Sequence, residues 1–192
     1  MRRIEKFAKY NRIKGIESGE ENGQKRKTTQ KTNEERILDD NHIVFSEMQF
    51  DWLSGKEKAL KQVKEAGLNE ESILKTIVCL GSDGPKDYLV VCLPIISEID
   101  LKMVARELGK KQIHLADNKK LIKITGYIHG ANTPIGIHAF KDFPIYFDQR
   151  IKDFPEVCVS AGKVGRSVRI KLNELMGLVD GHFIQVSDHT QI

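Results

Sequence analysis

The apolar positions of the chain form many short runs of the length expected for strands. Apolar runs of about four to eight residues bounded by Gly, Pro, Asn, Asp or Ser are typical of strands. The pattern predicts strands at 42–50, 76–81, 88–95, 111–116, 144–148, 156–161, 167–172 and 182–187. The second and third are joined by the turn sequence SDGPKD and should form an antiparallel hairpin.

Three segments have the longer apolar period of an amphipathic helix, and a fourth, short helix is expected from Asp117 onward. The three are 57–66, 100–108 and 174–179. Ser54, with Glu57 three residues later, predicts a capping box for the first helix. Ser97 and Asp100 are expected to cap the second.

The polar segment 17–36, ESGEENGQKRKTTQKTNEER, contains no aliphatic, aromatic, alanine or cysteine residue. Such a segment cannot offset the entropy of ordering by burying apolar surface. We therefore predict a basic N-terminal segment and mobile polar linker over 1–36, and one folded domain over 37–192. Strands interleaved with helices predict an α/β (α+β) domain with one curled, mixed, mostly antiparallel sheet or barrel-like core flanked by helices.

The composition permits an RNA partner without requiring one. The 192-residue chain has 31 Lys and Arg against 27 Asp and Glu, a formal charge of +4, whereas proteins that coat nucleic acid are usually far more basic. Cys79, Cys92 and Cys158 lie in apolar runs without C-x-x-C spacing, which indicates buried free thiols. No apolar run is long enough to cross a bilayer, so we expect a cytoplasmic protein with no membrane partner.

Three glycines, one proline and one histidine fall within TGYIHGANTPIG, residues 125–136. Glycine is used where the backbone must turn sharply or approach a ligand closely. The G-x-x-x-P pattern from Gly130 to Pro134 can form a small cradle whose backbone N–H groups bind an anion or an oxyanion. A tight turn without a ligand explains the same residues, and the pattern alone does not decide between them.

Lys75 opens an otherwise apolar strand, LKTIVCL. One interpretation is that its ammonium extends to water over a packed aliphatic stem. The other is a cation at the mouth of a cleft that holds a carbonyl, carboxylate or phosphate. Position alone supports the two equally.

Several familiar catalytic arrangements are excluded by spacing. VSAGKVGRS, residues 159–167, lacks the G-x-x-x-x-G-K-[ST] pattern of a phosphate loop, and Ser160 lacks the G-x-S-x-G context of a nucleophile elbow. The six histidines do not have the spacing of a metal site. We therefore predict no metal and no cofactor, and any catalysis would rely on positioning, backbone donors and water.

The chain closely resembles the YbaK family in the sequence and order of three motifs. They are LKTIVCL, TGYIHGANTPIG and VCVSAGKVGRS, and the segment DLKMVARELGKKQIHLAD between the first and second also matches. Members of the family are bacterial proteins related to the editing domain inserted in prolyl-tRNA synthetase, and the resemblance implies the same fold. It extends from about Asn69 to Val186 and, more loosely, back to Ile37. Residues 1–36 lie outside it.

The resemblance also implies functional positions. They fall on Lys75, Thr76, Gly130, Pro134, Ser160 and Gly162. Lys75 and Gly130 would be catalytic, and the others would shape the substrate pocket. Some members use an acidic residue late in the last motif, where this chain has Ser167, which affects the polar contacts of the pocket.

The activity implied is hydrolysis of the ester between a wrong amino acid and tRNA, most simply Cys-tRNA(Pro), with Ala-tRNA(Pro) or another small amino acid as the alternative. Aminoacyl-tRNA and prolyl-tRNA synthetase would be the partners. A non-catalytic tRNA- or synthetase-binding module and plain RNA binding through the basic tail are the competing hypotheses. Candidate phosphate contacts are Lys119, Lys120, Lys163 and Arg166, for which a solvated face is the alternative.

Overall fold

The computed structural model describes residues 30–186. The helices in this range are α1 Asn33–Asp40, α2 Lys56–Glu65, α3 Leu101–Glu107, α4 Leu121–Thr125, α5 Pro134–Lys141 and α6 Leu172–Val179. The strands are β1 Phe45–Gln49, β2 Leu74–Gly81, β3 Tyr88–Pro94, β4 Ile113–Leu115, β5 Ile145–Asp148, β6 Glu156–Lys163, β7 Arg166–Lys171 and β8 His182–Ile184. Every predicted strand is therefore confirmed, with bounds that differ by a few residues.

The strands form two sheets, whereas the sequence predicted one. Three strands pair antiparallel in the order β1-β7-β6, and five pair in the order β4-β2-β3-β5-β8. In the larger sheet, β2 pairs antiparallel with β3 and β4, and β5 pairs parallel with β3 and β8. The predicted fold class, a mixed and mostly antiparallel α/β domain, is confirmed.

The main core lies between the two sheets and is built from apolar side chains of β2, β3, β5, β6 and β7 together with helices α1, α5 and α6. Two smaller clusters cover the outer faces. Helix α3 packs Val104 and Ala105 on the five-stranded sheet, and helix α2 packs Ala59 and Val63 near Cys158 of β6. All three cysteines are buried free thiols, as predicted, and burial raises the pKa of each to about 12.

The folded unit begins at Lys31, six residues before the predicted boundary at Ile37. Thr32 and Glu35 form a capping box that starts α1, since the Thr32 hydroxyl accepts the Glu35 N–H and the Glu35 carboxylate accepts the Thr32 N–H. Glu34, Glu35 and Leu38 are buried. The linker prediction is therefore wrong for residues 31–36, because polar side chains are buried there through specific partners. The prediction for 1–29 lies outside the described residues.

Two predicted helix caps differ from the structure. Helix α2 begins after Gly55 without a side-chain cap, since Ser54 ends a preceding 3-10 turn that is capped by Asp51 and Gly55 takes the N-cap position. Asp100 alone caps α3, through the N–H groups of its first turn. Helix α5, directly after the glycine loop, was not predicted. Within the described range, no helix has the length and apolar character needed to span a membrane.

Candidate active site

Lys75 lies near the start of β2 with its side chain about one-fifth exposed. Its Nζ is 3.6 Å from Oε1 of the exposed Glu98. Partial burial lowers the pKa of the Lys75 ammonium, and the Glu98 carboxylate opposes part of that shift. Lys75 thus combines a packed stem with a cation near the surface, and this geometry allows it to bind an anionic or polar ligand group.

The start of β2 lies beside β6 at an isolated parallel bridge between Ile73 and Cys158. Side chains two residues apart on a strand point to the same face, so Lys75 shares a face with Ile73, and Ser160 shares one with Cys158. Ile73 and Cys158 belong to the apolar cluster that α2 covers. Lys75 and Ser160 therefore each follow this bridge by two residues, on neighbouring strands β2 and β6.

The glycine loop, residues 126–133, connects α4 to α5. Gly126 and Gly130 have φ values of +89° and +82°, in the left-handed region that glycine favours. A Cβ on Gly130 would lie 3.7 Å from Val164 Cγ2, an ordinary contact, so this glycine is used for its backbone conformation rather than for space. Pro134 then occupies the first turn of α5, where a proline is favoured because its missing N–H has no partner in the helix.

Ser160 joins the glycine loop to β6. Its hydroxyl donates to the Ala131 carbonyl at 3.2 Å and accepts the Gly162 N–H at 3.2 Å. Ser167 lies opposite Ser160 in the antiparallel register of β6 and β7. Ser160 and Gly162 are thus linked to Ala131, the residue after Gly130, and Ser167 lies opposite Ser160.

Thr76 does not share the face of Lys75. It lies opposite Cys92 in the β2–β3 register, and its Oγ1 is 3.9 Å from Cys92 Sγ. Cys92 belongs to the main core between the sheets. A substrate bound at Lys75 would therefore have to reach the other face of β2 to contact the Thr76 side chain. The role of Thr76 in the pocket stays a prediction.

Glu34, which sequence reasoning missed, lies at the meeting point of the loop and β6. Glu34 is 2% exposed, and its carboxylate accepts a hydrogen bond from the Tyr127 hydroxyl at 2.5 Å. A Cβ on Gly162 would overlap this carboxylate, and one on Gly136 would overlap both it and the Tyr127 hydroxyl. Burial raises the pKa of Glu34, and the bond from Tyr127 opposes that shift. The capping box next to it, T-x-x-E at Thr32, was the sequence signal that could have located this helix.

The candidate RNA contacts divide into two groups. Lys119, Lys120 and Lys163 are exposed, and Lys120 Nζ lies 3.7 Å from an Asp117 oxygen. Arg166 is 6% exposed, and its guanidinium bonds to both oxygens of Glu35 at 2.6 and 2.7 Å. The structure therefore assigns Arg166 to the attachment of α1 and not to phosphate binding.

Two further features bear on possible ligands. A groove lined by Phe154, Leu172, Met176 and Phe183 contains none of the predicted site residues. Among residues 30–186, no group of three or more His, Cys, Asp or Glu side chains is arranged to hold a metal ion. The chemistry available at the site described above is that of an ammonium, hydroxyl groups and loop backbone.

Comparison with known sequences identifies relatives over most of the chain. A family model described as "Aminoacyl-tRNA editing domain" matches residues 55–178. EbsC of Enterococcus faecalis, named as a Cys-tRNA(Pro)/Cys-tRNA(Cys) deacylase, is 32% identical over 164 residues, which are 85% of this chain and 97% of EbsC. The proline–tRNA ligase of Shouchella clausii is 28% identical over 112 residues, which are 56% of this chain and 18% of the ligase.

Solved structures share the fold. A crystal structure described as a trans-editing enzyme for prolyl-tRNA synthetase superposes with a TM-score of 0.66 at 19% identity, covering 80% of this chain and 93% of the other. A second, of the hypothetical protein APE2540, superposes with a TM-score of 0.67 at 17% identity and covers 98% of that chain. At these identities the superpositions show a common fold.

Proposed function

Because the chain belongs to the aminoacyl-tRNA editing domain family, we propose that it is an aminoacyl-tRNA deacylase whose main substrate is Cys-tRNA(Pro). The observation that carries this proposal is the hydrogen bond from Ser160 of β6 to the glycine loop, beside the start of β2 where Lys75 lies. The choice of cysteine rests on the name of the EbsC relative. Such an enzyme would act in the cytoplasm, where charged tRNA is used.

The chemistry required is modest. An aminoacyl ester is already activated, so the enzyme has to orient the ester and a nucleophile and to stabilise the oxyanion. Backbone N–H groups at Gly130, held open by its left-handed conformation, would serve as donors. The Lys75 ammonium would bind the aminoacyl-adenosine end, and a water activated by a substrate hydroxyl or thiol would be the nucleophile. In this scheme no protein side chain forms a covalent intermediate.

The pocket residues would act around this centre. Ser160 and Gly162 hold the loop at Ala131, and Pro134 fixes the direction in which the chain leaves it. Ser167, opposite Ser160, offers a neutral hydroxyl where some YbaK proteins have a carboxylate. The exposed Lys119, Lys120 and Lys163 would contact acceptor-stem phosphates, which predicts a salt-dependent affinity for tRNA.

Editing is useful because a synthetase pocket for a small side chain discriminates by only about 1–3 kcal/mol per methylene. The same limit applies to this site, because a pocket that accepts cysteine also admits alanine. Preference for cysteine would therefore come mainly from the thiol taking part in the reaction.

A panel of charged tRNAs tests the proposal. Cys-tRNA(Pro), Ala-tRNA(Pro) and Ser-tRNA(Pro) are incubated with the full chain, with and without prolyl-tRNA synthetase, and release of the amino acid is measured. We expect the fastest release from Cys-tRNA(Pro). Equal or faster release from Ala-tRNA(Pro) would show that the cysteine assignment is wrong. Binding of tRNA without release from any substrate would favour the non-catalytic module instead.

A further inference from the structure

One buried carboxylate contacts both ends of the glycine loop and the strand that supports its middle. Glu34 accepts the hydroxyl hydrogen bond of Tyr127, the second residue of the loop. It also lies against Gly136, just after the loop, and Gly162, near the end of β6. Three separate chain segments thus pack around one side chain, which comes from a helix outside the matched range 55–178.

The glycines explain why this contact is close. A methyl group on Gly162 would overlap the Glu34 carboxylate, and one on Gly136 would overlap Glu34 Oε1 and the Tyr127 hydroxyl. Gly162 also donates to Ser160, which in turn donates to the Ala131 carbonyl. Glu34 and Ser160 therefore hold the loop at points on either side of Gly130.

The position of Glu34 is itself firmly set. It is the second residue of α1, and the neighbouring Glu35 is bound to Arg166 of β7 through two short hydrogen bonds. Bidentate carboxylate–guanidinium pairs have a narrow preferred geometry. Because α1 is attached to the three-stranded sheet in this way, the Glu34 carboxylate has little freedom to move away from the loop.

We propose that Glu34 is a positioning residue of the editing site, which sets the conformation of the glycine loop through Tyr127 and thereby the placement of the Gly130 backbone. The inference rests on the proposed deacylase function. It makes α1 part of the catalytic apparatus, although this helix precedes residues 55–178, which the family model matches. Glu34 acts through the loop and does not touch the substrate.

The size of the effect follows from the sensitivity of catalysis to geometry. A displacement of about 1 Å in a catalytic group can reduce the rate about 100-fold. Loss of one of the two loop attachments should therefore lower kcat by roughly 10- to 100-fold. The KM for the charged tRNA should stay within about threefold of the wild-type value, because Glu34 is buried and does not contact the ligand. Glu34→Ala and Tyr127→Phe remove the two partners of one bond, so the double variant should be no slower than the slower single variant.

The decisive experiment compares Glu34→Ala, Glu34→Gln, Tyr127→Phe and the double variant in the full chain. Glu34→Gln keeps an acceptor for the Tyr127 hydroxyl and should restore most of the activity. Asp39→Ala is the matched control, since Asp39 is on the same helix but is paired with Lys31 at the surface, and it should leave the rate unchanged. Wild-type rates in both Glu34→Ala and Tyr127→Phe, or an effect on KM alone, would overturn the proposal.

Amide hydrogen exchange of residues 126–133 gives a second readout that does not depend on turnover. Exchange should be faster in Glu34→Ala and Tyr127→Phe than in the wild type and in Asp39→Ala. If the wild-type protein hydrolyses no charged tRNA, the proposed function fails, and this measurement alone still decides whether Glu34 sets the loop. If Glu34→Ala does not fold, the single-oxygen change in Tyr127→Phe decides; unchanged loop exchange there would refute the inference.

Discussion

Replacing Glu35 by alanine should destabilise the domain strongly, because it would leave the Arg166 guanidinium buried without its main partner. The Glu35 side chain is fully buried and Arg166 is 7% exposed in its side chain. Removing one member of a buried ion pair costs about 3–5 kcal/mol. The Glu47 carboxylate lies 3.2 Å from the same guanidinium and would compensate part of its charge. The expected loss of stability is therefore near the lower end of that range of about 3–5 kcal/mol. Glu35 also caps Thr32, which adds about 1 kcal/mol.

The expected change in the free energy of unfolding is therefore about 3–4 kcal/mol, a large share of the roughly 5–15 kcal/mol typical of a domain. For a protein of this size it corresponds to a fall in Tm of about 6–16 °C. Urea denaturation followed by circular dichroism measures it. Asp39→Ala, which breaks the exposed Lys31–Asp39 pair of the same helix, should change stability by less than about 1 kcal/mol.

A truncation series extends the same test. A chain that lacks 1–36 loses Thr32, Glu34 and Glu35, and should be less stable than one that lacks 1–30 by at least the effect of Glu35→Ala. Equal stability of the two truncated chains, or a loss in Glu35→Ala no larger than that in Asp39→Ala, would refute the reasoning that α1 is held by its buried carboxylates.

Lys75→Ala should fold normally and lose deacylation, measured as amino-acid release. Lys61→Ala, at a side chain 78% exposed, is the control and should keep the activity. Normal turnover in Lys75→Ala would contradict the site. Gly130→Ala should lower the rate of deacylation about 10²- to 10³-fold if its backbone stabilises the oxyanion. Gly109→Ala, at a glycine with a comparable positive φ of +64°, is the control and should have a near-normal rate. Equal rates of the two variants would make the loop a structural turn. The native protein should react very slowly with Ellman's reagent at pH 8, since the pKa of each buried cysteine is raised from 9.0 to about 12. Three thiols per chain should react only after denaturation. A rapid reaction of the native protein would show that a cysteine is accessible.

Much of the fold follows from local pattern. Apolar runs and helical periods locate all eight strands and three of the six helices of the described range, and the short helix expected from Asp117 begins at Leu121 as α4. Helix α5 was missed because its short apolar sequence, PIGIHAFK, follows a glycine loop and has no clear polar face. The two sheets could not be distinguished from one, since strand order depends on long-range pairing.

The site was predictable only in part, for a related reason. Lys75 and the glycine loop stand out because a cation in an apolar strand and a cluster of glycines are unusual in local sequence. Glu34 and Glu35 do not stand out, since they lie in a polar segment and are buried through Tyr127 and Arg166, which are 93 and 131 residues away. Composition predicts exposure for such a segment, and specific distant partners override it.

The 131-residue separation of Glu35 from Arg166 also constrains the order of events on the ribosome. Helix α1 is synthesised before every strand of the described range, yet its partner Arg166 lies on β7, the seventh of the eight strands. At about 5–20 residues per second, the helix waits roughly 7–26 s for that partner. During this interval its carboxylates are solvated and the loop lacks Glu34. The nascent domain should therefore acquire its loop geometry, and with it any editing activity, only after β7 has been synthesised.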